Sequence, residues 1–290
     1  MIQAISFYIF LPLIYLISLL PFRLLYLFSD FICVLVYRII GYRKDVVLEN
    51  LRKSFPKKSE AEIHLICKKY YHYLCDLIVE VFKKITMNSH TTLKHCKFMN
   101  AELLDGIFEK DKSIILLMGH YGNWEWAGSS FSLSCKHQLH VVYKPLSNKY
   151  FEDLMCKTRT MFGTKLIKMQ NTFKDVLTYK NSNAAFAFIA DQMPAPQTAY
   201  WTQFLNQDTG LFTGAERIAK KYDLPVVFIN IVRVKRGYYQ IFAELLTDTP
   251  KLNSENEIIQ KYAERLEEEI IKMPETWLWS HRRWKYPRPI

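Results

Sequence analysis

From residue 113 onwards, short apolar segments of strand length alternate with longer segments of helical periodicity. The runs at 113–118 and 184–190 are almost continuously apolar, which is typical of strands buried on both faces of a sheet. Strands that alternate with helices favour an α/β core, with a largely buried sheet flanked by helices. Further strands are predicted at 139–143, 165–168, 225–234 and 238–245, and helices at 150–162, 172–179, 213–222 and 254–273, whereas 191–211 is predicted to be irregular.

The part of the chain before this core is predicted to be helical. Residues 46–55 have a short helical pattern that ends before Pro56. Ser59 and Glu62 have the spacing of a capping box, in which the hydroxyl caps the helix and the carboxylate reaches back to the first backbone amide. Apolar residues then recur at helical spacing as far as Val81, so we predict one long amphipathic helix here.

The first 22 residues contain no charged side chain. A helix of that length is about 33 Å long, close to the ~30 Å hydrocarbon core of a bilayer. No Lys or Arg precedes the run and no small-residue cleavage site follows it, which favours a retained membrane anchor over a signal peptide. A buried core helix is the alternative, although Pro12 within the run is tolerated better in a membrane than in an exposed helix.

Basic residues follow the apolar run but do not precede it: Arg23, Arg38, Arg43 and Lys44. By the positive-inside rule, this asymmetry predicts a single N-terminal anchor with the body of the protein facing the cytoplasm. Residues 24–37 are too short to span cleanly, and we expect them to lie along the interface or to pack on the body. The predicted division is a transmembrane anchor at 1–22, an interfacial apolar and basic segment at 23–44 and an α/β domain at 45–290.

The chain carries 39 Lys and Arg against 28 Asp and Glu, a formal charge of +11, which implies an anionic partner. Four basic residues near the C-terminus, Arg282, Arg283, Lys285 and Arg288, are interleaved with Trp and Tyr. Beside an apolar N-terminal segment, this pattern favours contact with an anionic membrane surface over nucleic acid binding. An alternative for the first two arginines is a structural role, in which they pair with the acidic helical segment at 264–269.

The sharpest local signal is GHYGNWEW at 119–126. It directly follows a predicted strand, and α/β proteins place their sites at the carboxyl ends of strands. Gly122 permits a turn, and Asn123 is a candidate helix N-cap. If His120 lies in the loop and Glu125 in the first helical turn, the carboxylate can accept from one imidazole nitrogen and leave the other as a base. A histidine satisfied within the core is the alternative.

Covalent and metal chemistry are not indicated by the sequence. There is no GxSxG nucleophile elbow and no cysteine in a comparable setting, so an acyl-enzyme is not expected. A metal site built from His120, Glu125, His137 and His140 is disfavoured, because the two later histidines lie on the approach to another strand. We therefore expect neither a metal nor a cofactor. The six cysteines show no CxxC spacing, which is typical of reduced thiols.

The octapeptide at 119–126 resembles the signature of the late acyltransferases of lipid A biosynthesis, the lauroyl and myristoyl transferases. These are part of the wider His-x4-Asp/Glu group of glycerolipid acyltransferases. The resemblance runs in order from the N-terminal run to about residue 285. Its other motifs are Asn50-Leu51 with Phe55-Pro56, Tyr143-Lys144-Pro145, Arg159 before Gly163, Asp191-Gln192, the loop from Phe204 to Gly214, and WSHRRW at 279–284.

The resemblance implies an O-acyltransferase that adds an acyl chain to a lipid A precursor, anchored in the inner membrane with its catalytic domain in the cytoplasm. His120 would take the proton from a hydroxyl of a phosphorylated lipid acceptor, and the oxygen would attack a thioester of acyl carrier protein. Glu125 would orient the imidazole and stabilise its charged form. Arg159 and Lys144 suit a phosphate or an oxyanion. The candidates for substrate contact are Asn123, Lys144, Arg159, Asp191 and Gln192.

Several alternatives stay open at this point. The same chemistry on an aminolipid or glycolipid acceptor fits the motifs, and so does hydrolysis of a lipid ester by water admitted at His120. A non-catalytic lipid-binding module would keep the pocket and lack turnover. Arg159 has an alternative role as a solvated helix residue, and Asp191 has one as a helix or loop cap.

Overall fold

The computed structural model describes residues 2–289. Met1 and Ile290, the outer limits of the predicted anchor and of the predicted α/β domain, lie outside the described residues. The helices are α1 Ile2–Leu19, α2 Phe22–Val34, α3 Lys44–Ser54, α4 Glu60–Lys83, α5 Ser89–His95, α6 Ala101–Phe108, α7 Trp124–Ser134, α8 Lys149–Thr160, α9 Thr172–Tyr179, α10 Gly214–Tyr222 and α11 Glu257–Lys272, and a π-helical segment at Leu35–Ile40 follows α2. The strands are β1 Cys96–Phe98, β2 Ile114–Met118, β3 Gln138–Tyr143, β4 Lys165–Lys168, β5 Ala184–Ile189, β6 Tyr200–Phe204, β7 Gln207–Leu211, β8 Val226–Lys235 and β9 Tyr238–Thr247.

Seven strands form one sheet in the order β1-β9-β8-β2-β5-β3-β4. β8 and β9 are antiparallel, and the other neighbouring pairs are parallel. Ile114, Leu116 and Met118 of β2 pack with α7, whereas Ile115 and Leu117 pack with α10 and α11 on the opposite face. Helices therefore cover both faces, which confirms the predicted α/β core and explains why β2 is apolar at every position.

Most of the predicted elements are confirmed. β4 and α9 have the predicted bounds, and Ser59 forms the predicted capping box with Glu62. The segment at 191–211 was expected to be irregular, and this expectation is wrong because it contains the antiparallel hairpin β6–β7. Its two-residue turn is Leu205-Asn206, with φ values of 51° and 59°. A leucine is not a residue that signals such a turn, so the pattern is hidden in the sequence.

The C-terminal segment folds back along the core and joins distant parts of the chain. The side-chain amide of Asn50 donates to the backbone carbonyls of Trp279 and His281 at 2.9 and 3.1 Å. Tyr121 and Trp277 form an isolated antiparallel bridge. The first and last motifs of the sequence therefore meet next to the loop that follows β2.

The two arginines of the C-terminal motif have different environments. Arg282 is exposed, whereas Arg283 is only 1% exposed. The guanidinium of Arg283 lies 5.0 Å from the centre of the Phe204 ring and 5.8 Å from that of Trp277. Within the described residues, no ion pair joins it to the acidic segment at 264–269, so the expected pairing is wrong for Arg283. Its burial still fits a structural role, and the expected contact of Arg283 with a membrane surface is wrong because the side chain is not accessible.

The N-terminal helices α1 and α2 both pack on α4. Ile17 of α1 and Leu25 of α2 are buried together with Val79. Within residues 2–289, no single helix combines the length and the hydropathy that a membrane span requires, although the pair Phe22–Ile40 and Lys44–Ser54, bent by 91°, meets both criteria together. The anchor at 1–22 therefore stays a prediction.

Candidate active site

His120 lies in a tight loop between β2 and α7. Gly122 has a φ of 60°, and a Cβ at this position would lie 2.2 Å from the carbonyl oxygen of Ile231, so only glycine fits. Asn123 accepts a hydrogen bond from the backbone N of Trp126 at 2.9 Å, which confirms it as the N-cap of α7. The turn predicted in this motif is thus the element that positions the histidine.

The imidazole of His120 is hydrogen-bonded to Asp191, the second residue after the end of β5. Nδ1 lies 2.6 Å from Oδ1, and the backbone N of His120 donates to Oδ2 at 2.9 Å. Trp277 donates its Nε1–H to the same Oδ2 at 2.8 Å. β2 and β5 are adjacent parallel strands, so their carboxyl ends bring together two residues that are 71 positions apart.

Asp191 is held as a carboxylate. Burial would raise its pKa, but the charge and hydrogen bonds of His120, together with the charge of Arg283, hold the pKa of Asp191 well below its usual range. An ionised carboxylate only accepts hydrogen bonds, so Nδ1 of His120 carries the proton. In the neutral imidazole Nε2 then has the lone pair, and the side-chain amide of Gln192 lies 3.4 Å from it as a donor. This tautomer leaves Nε2 available as a base.

Glu125 forms a separate ion pair. Its Oε2 accepts from Nε of Arg159 at 3.1 Å, and its Oε1 accepts from Nη2 at 2.5 Å. Its backbone carbonyl accepts from Nζ of Lys84 at 2.7 Å. We predicted that Glu125 would accept from His120. In the structure the first turn of α7 instead directs this carboxylate to an arginine of α8, and Asp191 makes the imidazole contact.

Two cations surround Glu125 in a buried setting. The Glu125 side chain is 8% exposed. Burial would raise its pKa, but the hydrogen bonds and charge of Arg159 lower it below the usual value. Burial also lowers the pKa of Lys84 to about 8, which leaves it mostly protonated at neutral pH. The group of Glu125, Arg159 and Lys84 therefore carries one excess positive charge, which suits an anionic group of a substrate.

A cavity of about 360 Å³ lies beside His120. Its lining includes the polar side chains of His120, Lys84, Lys144 and Gln192 and the ion pair of Glu125 with Arg159. An apolar cavity with a few placed polar groups is the usual form of a ligand site. Most of the remaining lining is apolar and comes mainly from the sheet and α7: Phe98, Leu116, Met118, Phe131, Leu139, Val141, Ala187, Ile189, Ile229 and Ile241.

The structure brings most of the predicted site residues together. Asp191 does not line the cavity but contacts His120 at Nδ1. Asn123 is fully buried, and its side chain donates to Glu80 at 2.7 Å, so it supports the loop. Those that line the cavity are His120, Glu125, Lys144, Arg159 and Gln192.

Sequence analysis missed two charged residues: Glu80 in α4 and Lys84 in the turn that follows α4. Glu80 is buried and accepts from Tyr26 and Tyr239 as well as from Asn123. Burial raises the pKa of Glu80 to about 7. Glu80 and Lys84 both continue the apolar stripe of the predicted helix. Charged residues on such a stripe are a signal that could have found them.

His120, Glu125, His137 and His140 are not grouped around a common point. Within residues 2–289, no group of three or more His, Cys, Asp and Glu side chains could hold a metal ion. Nε2 of His137 lies 3.0 Å from the backbone carbonyl of Lys112. His140 packs edge-on against Tyr179 and Phe186.

Comparison with known proteins identifies the family of the chain. Residues 1–286 match the family described as bacterial lipid A biosynthesis acyltransferase. The lipid A biosynthesis palmitoleoyltransferase of Escherichia coli (strain K12) is 20% identical over 252 residues, which is 86% of this chain and 80% of that protein. The lipid A biosynthesis acyltransferase of Shigella flexneri is similar to the same extent. Because the family match covers nearly the whole sequence, the chain belongs to the bacterial lipid A biosynthesis acyltransferases, enzymes that join an acyl group to a lipid acceptor.

Proposed function

We propose that the protein transfers a fatty acyl chain from an acyl carrier protein thioester to a hydroxyl of a lipid A precursor, with His120 as the general base. The observation that carries this proposal is the position of His120 at the wall of an apolar cavity, with Nδ1 bound to Asp191 and Nε2 left as the basic nitrogen. A hydroxyl bound to Nε2 is thereby next to a space that suits a fatty acyl chain. We assign the orienting role to Asp191, because it makes the hydrogen bond to Nδ1.

The reaction proceeds in two steps in this proposal. First, Nε2 of His120 accepts the hydroxyl proton while the oxygen bonds to the thioester carbon, whose π electrons move to the carbonyl oxygen. Asp191 stabilises the resulting imidazolium through Nδ1–H. Then the carbonyl re-forms, the C–S bond breaks, and the imidazolium returns the proton to the thiolate. An ester and a free thiol result, and a positioned base of this kind typically contributes about 10²–10⁴ in rate.

The cationic group beside the base is assigned to substrate binding. Arg159 and Lys84 exceed the charge of Glu125 by one, and the planar guanidinium suits a phosphate of the acceptor. Glu125 fixes the orientation of Arg159 through two hydrogen bonds. Lys144 is exposed at the edge of the cavity, where it supplies a further positive charge. Gln192 contacts Nε2, and Asn123 holds the loop, so both act on the position of the base.

We assign α1 and α2 to an anionic membrane surface, with 1–22 as the anchor, 23–44 at the interface and the rest of the chain in the cytoplasm. Their outer faces carry a continuous series of exposed apolar side chains, and such surfaces mark interaction sites. No nucleic acid partner enters this proposal. The most exposed of these side chains are Tyr8, Ile9, Leu16, Leu19, Leu27 and Phe31.

The catalytic proposal is tested by product masses. Purified protein is incubated with an acyl carrier protein thioester and, in separate reactions, with a lipid A precursor, an aminolipid or a glycolipid. We expect an ester of the lipid A precursor and no free fatty acid. Transfer to another acceptor would change the substrate, free fatty acid would indicate a hydrolase, and an unchanged thioester in every reaction would contradict the donor.

The membrane assignment predicts that polar substitutions on the outer face of α1 weaken partition. Ile9→Lys with Leu16→Lys changes side chains that are 66% and 63% exposed, so the fold is kept. We expect a larger soluble fraction after cell lysis than for the wild type. Leu252→Lys is the matched control, because Leu252 is 83% exposed on another part of the surface. Equal partition of all three proteins would contradict the assignment.

A further inference from the structure

An exposed apolar surface borders the cavity on the side of the edge strand β4. Met169 follows β4, lines the cavity and is 51% exposed. Phe173 and Leu177 are one turn apart on α9 and are 51% and 56% exposed. Large apolar side chains that are adjacent and exposed mark an interaction site more often than isolated ones do. We call Met169, Phe173, Leu177 and the lysines beside them, Lys168 and Lys174, the α9 surface.

The α9 surface is strongly basic. Apart from Arg159, which is paired with Glu125, residues 157–180 contain five Lys and one acidic residue, Asp175. Lys168 and Lys174 are exposed, and neither makes an ion pair within the described residues. Lys168 is the register partner of Tyr143, so Lys144 extends the same positive charge to the edge of the cavity. A surface of this composition attracts a partner with acidic residues around an apolar contact.

Helix α9 lies on the opposite face of the sheet from α7. α1 contacts α8, which packs against α7, and α7 covers the sheet face formed by Leu116 and Met118. α9 covers the opposite face, where Val176 is buried in the cluster that contains Ile115 and Leu117. A bilayer on the outer side of α1 therefore lies against the α7–α8 layer, and Phe173 and Leu177 on α9 stay open to a soluble partner.

We propose that the α9 surface is the docking site for an acidic acyl carrier protein, which delivers its thioester to the cavity past Met169. This inference rests on the proposed function, since it names the surface that receives the proposed donor. The apolar side chains supply the contact, and the lysines supply orientation and a fast encounter. The position of Met169 in both the surface and the cavity lining links docking to delivery.

The test compares two donors that carry the same acyl chain, one on the carrier protein and one on coenzyme A. In the variant K168E/K174E, we expect KM for the carrier donor to rise roughly tenfold or more, with kcat unchanged, because reversing charges at the rim of an interface acts mainly on association. KM for the coenzyme A donor should be unchanged. Phe173→Asp should act in the same direction but with less dependence on salt, because its contact is apolar.

Lys251→Glu is the matched control. Lys251 is exposed after β9, at the opposite edge of the sheet from the cavity, because β9 runs antiparallel to β8. It should leave KM for both donors unchanged. If the coenzyme A donor is a poor substrate, binding of the carrier protein is measured directly by fluorescence anisotropy. The dissociation constant should rise for K168E/K174E and stay constant for Lys251→Glu.

Several results would overturn the docking site. They are an unchanged KM and dissociation constant for the carrier protein in K168E/K174E, an equal loss with both donors, or a loss confined to binding of anionic phospholipid vesicles. The first two leave the proposed function intact if wild-type protein uses the carrier donor. If wild-type protein transfers from coenzyme A or a phospholipid but not from the carrier protein, the donor proposal itself fails and the docking site fails with it.

Discussion

Asp191 and Glu125 are both buried carboxylates close to the cavity, and both have a lowered pKa. They differ in what they bind. Asp191 accepts from the imidazole and backbone of His120 and from an indole N–H, whereas Glu125 binds the guanidinium of Arg159. An imidazole exchanges a proton near neutral pH, but a guanidinium does not. One carboxylate is therefore suited to support a base and the other to hold a binding cation.

This comparison separates nearness in sequence from nearness in space. Glu125 is five residues from His120, yet a loop and a helix start lie between them, and the side chains diverge. Asp191 is 71 residues away, but it leaves a neighbouring parallel strand at the same edge of the sheet. The carboxylate that serves a histidine at a strand end is thus better sought at the end of the adjacent strand.

The largest effect is expected for His120→Gln. Its loss of turnover is the upper limit for the loss caused by changing either carboxylate. Glutamine keeps an N–H donor for Asp191 but has no base. We expect turnover to fall by about 10²–10⁴ with an unchanged melting temperature. Initial rates with saturating donor and acceptor measure it. Turnover close to wild type, with lipid bound normally, would contradict the general-base role.

Asp191→Asn and Glu125→Gln test directly whether the two carboxylates have different roles. The asparagine NH₂ must face either Nδ1 of His120, which forces the proton to Nε2, or the two N–H donors at Oδ2, where it clashes. We expect kcat to fall by about 10²-fold or more, because a wrong tautomer removes the base. Glu125→Gln leaves the imidazole contact untouched and should act mainly on KM for the acceptor. A larger loss of kcat for Glu125→Gln than for Asp191→Asn would restore Glu125 as the orienting residue.

A smaller effect is expected for Arg159→Lys, which tests the binding side of the comparison. Lysine keeps the charge but loses the two-pronged contact with Glu125. A lost charge-assisted hydrogen bond of roughly 1.5–3 kcal/mol lowers kcat/KM by about ten- to a hundredfold. Arg288→Ala, in the exposed tail, should cost less than about threefold and should depend on salt. Kinetics at low and high salt decide the matter: equal, salt-sensitive losses would reduce Arg159 to part of a general basic surface.

The smallest effect on turnover is expected for Glu80→Gln. Glu80 is a third buried carboxylate, and its hydrogen-bond partners are uncharged side chains. The pKa of Glu80 is raised from 4.5 to about 7 by burial. Between these values the folded protein keeps a proton that the unfolded chain has lost, so this contribution to stability falls as pH rises from 4.5 through 7. The variant stays neutral throughout. The melting temperature of Glu80→Gln relative to wild type should therefore increase with pH across this window, and a constant difference would contradict the raised pKa.

The local elements could be predicted from sequence because each depends on neighbouring residues. The apolar run of β2, the Gly122 turn and the Asn123 cap are set by burial, by a positive φ and by a side-chain hydrogen bond within three residues. The same holds for α9, whose bounds were predicted correctly. The hairpin β6–β7 was missed because its turn residue Leu205 takes a conformation that its own chemistry disfavours.

Local patterns in the chain predict the α/β core, the loop that carries His120 and the family signature around it. Three contacts depend on how the strands and helices pack: that of Asp191 with the imidazole, that of Glu125 with Arg159, and that of Glu80 with Asn123 in the loop. The physical reason is the range of the interactions. Capping and turn formation involve residues a few positions apart, whereas the partner of a buried charge is set by the order of strands in the sheet, which no local pattern encodes.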